Sequence, residues 1–263
     1  MQDAQKAVQC QTSHLSFYHL SLEPNTPFYR TPPSLPDDDS SAEMQIAIEA
    51  LLAEHDYEHY ETSAFAKPGK QARHNLNYWQ FGDYLGIGAG AHSKLSYHDK
   101  ICREVRAKHP KAYMEKSMQG QAVEREWAIE KDELGFEFMM NALRLIDGVP
   151  LNLFQARSGL SLDTLRVALK KAQDKGLLLL ENQTLKPTLL GQRFLNDLLE
   201  DMLDIAMIPL EPPQNFIDQS SVFHNEQVRI ENTRVLRSDG GNDTALDVEK
   251  LDARGNQRRF ESD

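Results

Sequence analysis

Residues 57–93, YEHYETSAFAKPGKQARHNLNYWQFGDYLGIGAGAHS, constrain this chain more than any other stretch. The segment crowds aromatics, amides, glycines and three histidines into a region where an ordinary element needs only alternating apolar residues. Gly86, Gly88 and Gly90 stand at alternate positions, a spacing that lets a cofactor or a second backbone come close to the main chain. The pattern is not GxGxxG, and no helix followed by an acidic ribose binder is in view, so a dinucleotide-binding fold is excluded. The glycines alone leave two readings open: a strand facing a cofactor, or a tight strand packed against a helix.

His74 is open in the same way. A neutral imidazole can be an axial haem ligand, and Tyr78 and Trp79 beside it offer flat apolar surface for a porphyrin. Equally, HNLNYW at 74–79 can pack as a loop, with His74 and Asn75 bonding backbone and the aromatics buried. Glu61 either holds a polar group or sits at a solvated strand end. Asp37, Asp38 and Asp39 resemble a metal loop only superficially, because a helix starts directly after them and acids complement its dipole. His14 and His19 fall on opposite faces of a strand, which disfavours joint ligation. His55 and His59 straddle a helix end and are expected at the surface.

A net charge of −11 over 263 residues argues against nucleic acid as a partner and leaves membrane contact at most peripheral, since both demand clustered Lys and Arg. No apolar run approaches the roughly 18 residues that span a bilayer, and the N-terminus lacks a signal peptide's apolar stretch. The location expected is the cytoplasm. Cys10 and Cys102 are the only cysteines, which gives neither a disulfide framework nor a CxxC pair. Cys10 reads as an incidental free thiol.

Along the chain, residues 1–12 look like a frayed lead-in and 15–22 like a strand. The proline-rich 24–39 reads as loop. Ser40 with Glu43 reads as a capping box opening a helix with the stripe Met44, Ile48, Leu51 and Leu52. Strands are expected over 57–66 and 84–91, and strand–helix–strand spacing predicts parallel βαβ packing. A second unit starts near residue 124. Its stripe Leu134, Phe138, Ala142 and Leu145 runs to Gly148 and Pro150. Ser161 caps another helix, closed by Gly176. A hairpin turns at Asn182 and Gln183, and Thr188 opens a last helix to about Met202. Helices, hairpin, helix is a winged-helix order. Residues 150–203 carry seven basic and six acidic side chains, however, so no basic face points to DNA. From 204 onward seven basic residues stand against twelve acidic ones without a persistent stripe, and disorder is expected.

HNLNYW at 74–79, GIGAGAH at 86–92 and HLSFYHLSLEPNTPF at 14–28 resemble the radical-SAM proteins of the oxygen-independent coproporphyrinogen III oxidase group, and within it the HemW haem-chaperone branch. The resemblance spans roughly residues 13–203. It implies an α/β fold: the second half of a radical-SAM β/α barrel over 13–123, then a HemN C-terminal helical and winged-helix domain over 124–203. It also implies haem handling by His74, Asn75, Tyr78 and Trp79, with His74 as the iron ligand. Ser21, Gly86, Ile87, Gly88, Ala91 and His92 would line an S-adenosylmethionine pocket. The full-length family holds a [4Fe–4S] cluster on a CxxxCxxC loop, and this chain has no such loop. It therefore reads as a C-terminal portion that completes neither cluster nor S-adenosylmethionine site by itself, and is not expected to be an enzyme alone. Three functions remain open: a haem-binding chaperone, a porphyrin-pathway oxidoreductase completed by a separate N-terminal chain, or a non-functional fragment. The partners implied are haem, a missing N-terminal half or a haem-recipient protein.

Overall fold

The computed structural model describes residues 1–203 and two short strands further on. It opens with α1 (Gln2–Gln9), β1 (His14–Ser16), the short α2 (Pro27–Arg30) and α3 (Asp38–Glu54). Next come β2 (Glu58–Glu61), β3 (Ala64–Ala66), α4 (Arg73–Trp79), β4 (His92–Ser96), β5 (Ile101–Arg106), α5 (Pro110–Met118) and β6 (Val123–Ala128). The later part holds α6 (Lys131–Ala142), β7 (Val149–Pro150), α7 (Leu151–Ser158), a 3₁₀ turn (Leu162–Leu165) and α8 (Arg166–Asp174). It closes with β8 (Leu178–Glu181), β9 (Thr184–Pro187), α9 (Leu189–Arg193) and α10 (Leu195–Met202). The class is mixed α/β, as expected. The disorder expected for 204–263 falls outside the described residues, apart from an antiparallel pair, β10 (Lys250–Leu251) with β11 (Gln257–Arg258). Among the described residues no helix is long and apolar enough to cross a membrane.

Parallel packing does not occur among the described strands. The sheets run β1-β3-β2, β4-β5-β6 and β7-β9-β8, and every pairing is antiparallel. In the hairpins short links enforce this: parallel neighbours need crossovers of a dozen or more residues, whereas Thr62 and Ser63 alone separate β2 from β3. The expected strand at 57–66 is thus a hairpin. The expected strand at 84–91 is irregular, with Tyr84 making one bridge to Lys94, and the strand itself begins at His92. The run expected over 15–22 is a strand only through Ser16, with one further backbone bond from Phe17 N to Ser63 O, and Tyr18 and Leu20 lie exposed beyond it.

The lead-in is a helix rather than frayed, because Ala4 is buried and Val8 packs on the cluster of Leu52, Tyr57 and Phe65. Asp37, not Ser40, caps α3: its carboxylate accepts from Ser40 N at 2.8 Å. In the later part, Ser161 and Thr188 cap as expected, accepting from Asp163 N and Gly191 N. Asn182 and Gln183 both adopt positive φ, as a two-residue hairpin turn demands. Phe138, Phe154, Leu165, Leu198 and Met202 form the main core there. The last helix is broken at Phe194, which leaves the helical region between α9 and α10. Backbone bonds from Thr62 N to Arg144 O and from Ile146 N to Tyr60 O, each 3.1 Å, tie β2 and its turn to the segment after α6.

Candidate functional site

HNLNYW is not a loop but most of α4, and its end shows why. Gly82 N donates to Asn77 O at 2.7 Å and Phe81 N to Tyr78 O at 3.0 Å, with Phe81 left-handed at φ 58°. This is the paired-bond C-terminal stop of a helix, with phenylalanine where glycine is usual. A Cβ on Gly82 would lie 2.8 Å from the backbone Asn77 O, so the close turn favours glycine at that position.

The helix sorts the motif onto two sides. His74 and Tyr78, four residues apart, stand on the exposed side with ring centroids 6.2 Å apart and edge-on. Tyr78 meets Tyr84 in the same manner at 4.6 Å. No described residue hydrogen-bonds a ring nitrogen of His74. Asn75 and Trp79 turn inward. Asn75 Nδ2 donates to Tyr60 Oη at 3.0 Å, while Trp79 packs on the main core beneath the Arg144 guanidinium, 4.7 Å from its ring.

Tyr60 is the hub under this helix, and sequence reasoning gave it no role. Its oxygen accepts from Asn75 and, at 3.4 Å, from Ala72 N, so its own hydrogen goes to His14 Nε2 at 2.8 Å. That leaves the His14 proton on Nδ1. Burial pushes the His14 imidazole below its ordinary value; nearby Glu61 opposes this and His74 adds to it. Burial likewise raises the Tyr60 phenol.

Glu61 is buried rather than solvated, at 1% exposure. A bulge between His59 and Glu61 breaks the alternation of β2, so Tyr60 and Glu61 both face inward. Ser63 Oγ donates to its Oε1 at 3.3 Å, while Oε2 is buried without a partner among the described residues. His59 is half-buried, stacked on Phe65 at 4.3 Å.

Lys94 also escaped the sequence reading. It is buried, and its ammonium donates to Phe81 O at 3.0 Å, Asp83 Oδ1 at 2.9 Å and Ser96 Oγ at 3.3 Å. Burial pushes Lys94 below the usual lysine range, against the pull of Asp83. Burial alone would raise the Asp83 carboxyl, but hydrogen bonds from Ser96 and Lys94 outweigh it and hold Asp83 below its usual value.

The glycine segment is tied to its own protein. Gly86 N donates to Ser93 Oγ and Gly88 N to Tyr113 Oη, each 3.0 Å, while Gly90 N reaches Ala107 O at 2.9 Å. Ala91 N closes back on Gly88 O at 3.2 Å. A Cβ on Gly86 would stand 2.2 Å from His92 O, so here glycine admits a neighbouring backbone. Ile87 is 81% exposed and the space beside Gly88 is open. Ser21 is exposed, and no hydrogen bond joins its side chain to the glycines. Cys10 is exposed and Cys102 buried, and two thiols cannot supply the three a [4Fe–4S] cluster would need from this chain.

Residues 129–194 match the HemN C-terminal domain family. The chain is 43% identical over 199 residues to the heme chaperone HemW of Escherichia coli, covering 75% of this chain and 52% of that protein. It is 40% identical over 201 residues to the heme chaperone HemW of Haemophilus influenzae, covering 76% and 51%. This chain belongs to the HemW-like radical-SAM family. It spans about half the length of the curated relatives it matches, corresponding to their C-terminal part. The mitochondrial radical S-adenosyl methionine domain-containing protein 1 of Dictyostelium discoideum is 32% identical over 221 residues, covering 72% of this chain and 49% of that protein. A solved structure, coproporphyrinogen III oxidase (HemN) of Escherichia coli, described as a radical SAM enzyme, matches with a TM-score of 0.57 at 17% identity. It covers 75% of this chain and 49% of that one, and the likeness is one of fold.

Proposed function

We propose that this chain binds haem through His74, as the C-terminal part of a HemW-type haem chaperone. The observation carrying this reading is an exposed imidazole, unbonded at both ring nitrogens among the described residues, on a helix fixed from below by Asn75 and Trp79. That donor fits haem iron: an imidazole nitrogen beside an aromatic ring edge, with no competing partner among the described residues. Bound haem would supply an iron that accepts the His74 imidazole nitrogen. Tyr78 would border the porphyrin, and Asn75 would orient the helix rather than touch iron. The curated relatives named as heme chaperones support the reading.

Within the same proposal, residues 13–123 are the later part of the family's radical-SAM barrel region, although their own sheets are antiparallel. Residues 124–203 form the HemN-type domain with its winged-helix order, consistent with the family match at 129–194. Ser21, Gly86, Ile87, Gly88, Ala91 and His92 form one side of an S-adenosylmethionine pocket, a reading supported by the exposed Ile87 and the open flank of Gly88. A separate N-terminal half and a recipient of haem are the protein partners proposed.

Haem titration followed by absorbance tests the central claim. His74→Ala should lower affinity at least about tenfold, roughly 1.4 kcal/mol, and binding should weaken on acidification because a ligating imidazole must be neutral. Equal affinities for the two proteins would remove His74 as the ligand.

A further inference from the structure

A cleft of about 250 Å³ opens beside α4, lined by Tyr78, Trp79, Phe81, Tyr84, Lys94 and Arg103 among others. The ring contacts from His74 to Tyr78 and from Tyr78 to Tyr84 make a continuous aromatic ledge leading into it. At the far end of that ledge, Tyr84 Oη accepts from Arg103 Nη1 at 2.8 Å. The phenol's own hydrogen therefore points elsewhere, and no described residue accepts it. Arg103 gives a second N–H to Glu137, which leaves three of its five donors uncommitted among the described residues. Lys94, the other cation of the cleft, has nothing to offer, because Phe81 O, Asp83 and Ser96 take all three ammonium hydrogens.

A free hydroxyl hydrogen next to a guanidinium with spare N–H groups, reached along an apolar ledge, is complementary to a carboxylate carried on the edge of a flat aromatic molecule. We propose that Tyr84 and Arg103 hold a propionate carboxylate of a porphyrin whose edge runs along Tyr78. The inference rests on the haem reading of His74 for its ligand class, yet it concerns the carboxylate and not the iron. Arg103, whose charge Glu137 already balances, sets affinity through its spare N–H groups. Tyr84 sets it by one directional bond while its ring also walls the ledge.

The test uses the full chain with metal-free protoporphyrin IX and its dimethyl ester, read by quenching of tryptophan fluorescence, alongside the haem titration. The wild type should bind the diacid roughly tenfold more tightly than the diester. Tyr84→Phe, which keeps the ring, should erase that preference, and Arg103→Gln should do the same. His74→Ala should leave the preference intact, because no iron is present. Equal binding of diacid and diester by the wild type overturns the proposal, as does a Tyr84→Phe variant that weakens both equally, or no quenching by either porphyrin. If the preference holds while His74→Ala leaves haem affinity unchanged, the iron-ligand reading fails and the carboxylate site stands.

Discussion

Replacing Lys94 by methionine isolates what its ammonium contributes. The side chain is 2% exposed, and methionine preserves most of the unbranched stem, so the change leaves little cavity. What disappears is the donor to Phe81 O, Asp83 Oδ1 and Ser96 Oγ, and the cation 4.1 Å above the Phe81 ring. Breaking a buried ion pair from one side costs about 3–5 kcal/mol when the remaining charge stays dry. Asp83 does not stay dry: its side chain is 38% exposed, and it keeps hydrogen bonds from Ser96 N at 3.0 Å and Ser96 Oγ at 2.7 Å. Burial of the ammonium also carried a desolvation cost that the variant no longer bears. The expected loss is therefore about 2–3 kcal/mol, below the dry-pair range. Urea denaturation should show a lower midpoint at unchanged m. In a double-mutant cycle with Asp83→Asn, the coupling should lie at about 1–2 kcal/mol. A Lys94→Met protein within about 0.5 kcal/mol of wild type, or additive single effects, would refute the assignment of Lys94 as the pin between the loop after α4 and β4.

Two further outcomes follow from the same geometry. Gly86→Ala places a methyl against the His92 backbone and should cost about 1–3 kcal/mol. A melting curve unchanged from wild type would contradict the close approach of the added methyl to His92 O at 2.2 Å. For pH dependence, the folded imidazole of His14 is depressed, so the unfolded chain takes up its proton first as pH falls below about 6.5. Native stability should decline through that window more in wild type than in His14→Gln, measured as denaturation midpoints at neutral and mildly acidic pH. Parallel declines would assign no role to His14.

The parts legible in the sequence are those whose signals are local. Ser161, Thr188 and the Asn182–Gln183 turn announce themselves within three residues, and the structure realises each one. Helix α4 carried no such signal. Its N-cap is Ala72, without a capping side chain, and asparagine and aromatic residues are indifferent helix formers. Its existence depends on contacts distant in sequence, through Tyr60 and the main core. The burial of Glu61 was not legible for a related reason, since one bulge suffices to turn a residue from the solvent side to the inside, and no composition rule marks where a bulge falls. The antiparallel sheets were missed because strands of two to six residues do not reveal their partners. For the site, the motif was visible but its division was not: only folding as a helix separates His74 and Tyr78 from Asn75 and Trp79.

The left-handed Phe81 narrows the routes by which this region can be improved. The conformation costs about 1–2 kcal/mol for a residue with a Cβ, and glycine would relieve it. Yet the Phe81 ring is 1% exposed and packs edge-on against Phe138 with centroids 5.7 Å apart, so glycine would empty the place where the loop meets the main core. No natural side chain both relaxes that backbone and fills that space. Selection for a more stable chain is thereby driven to neighbouring positions, and residue 81 is a local optimum that single substitutions cannot leave without loss.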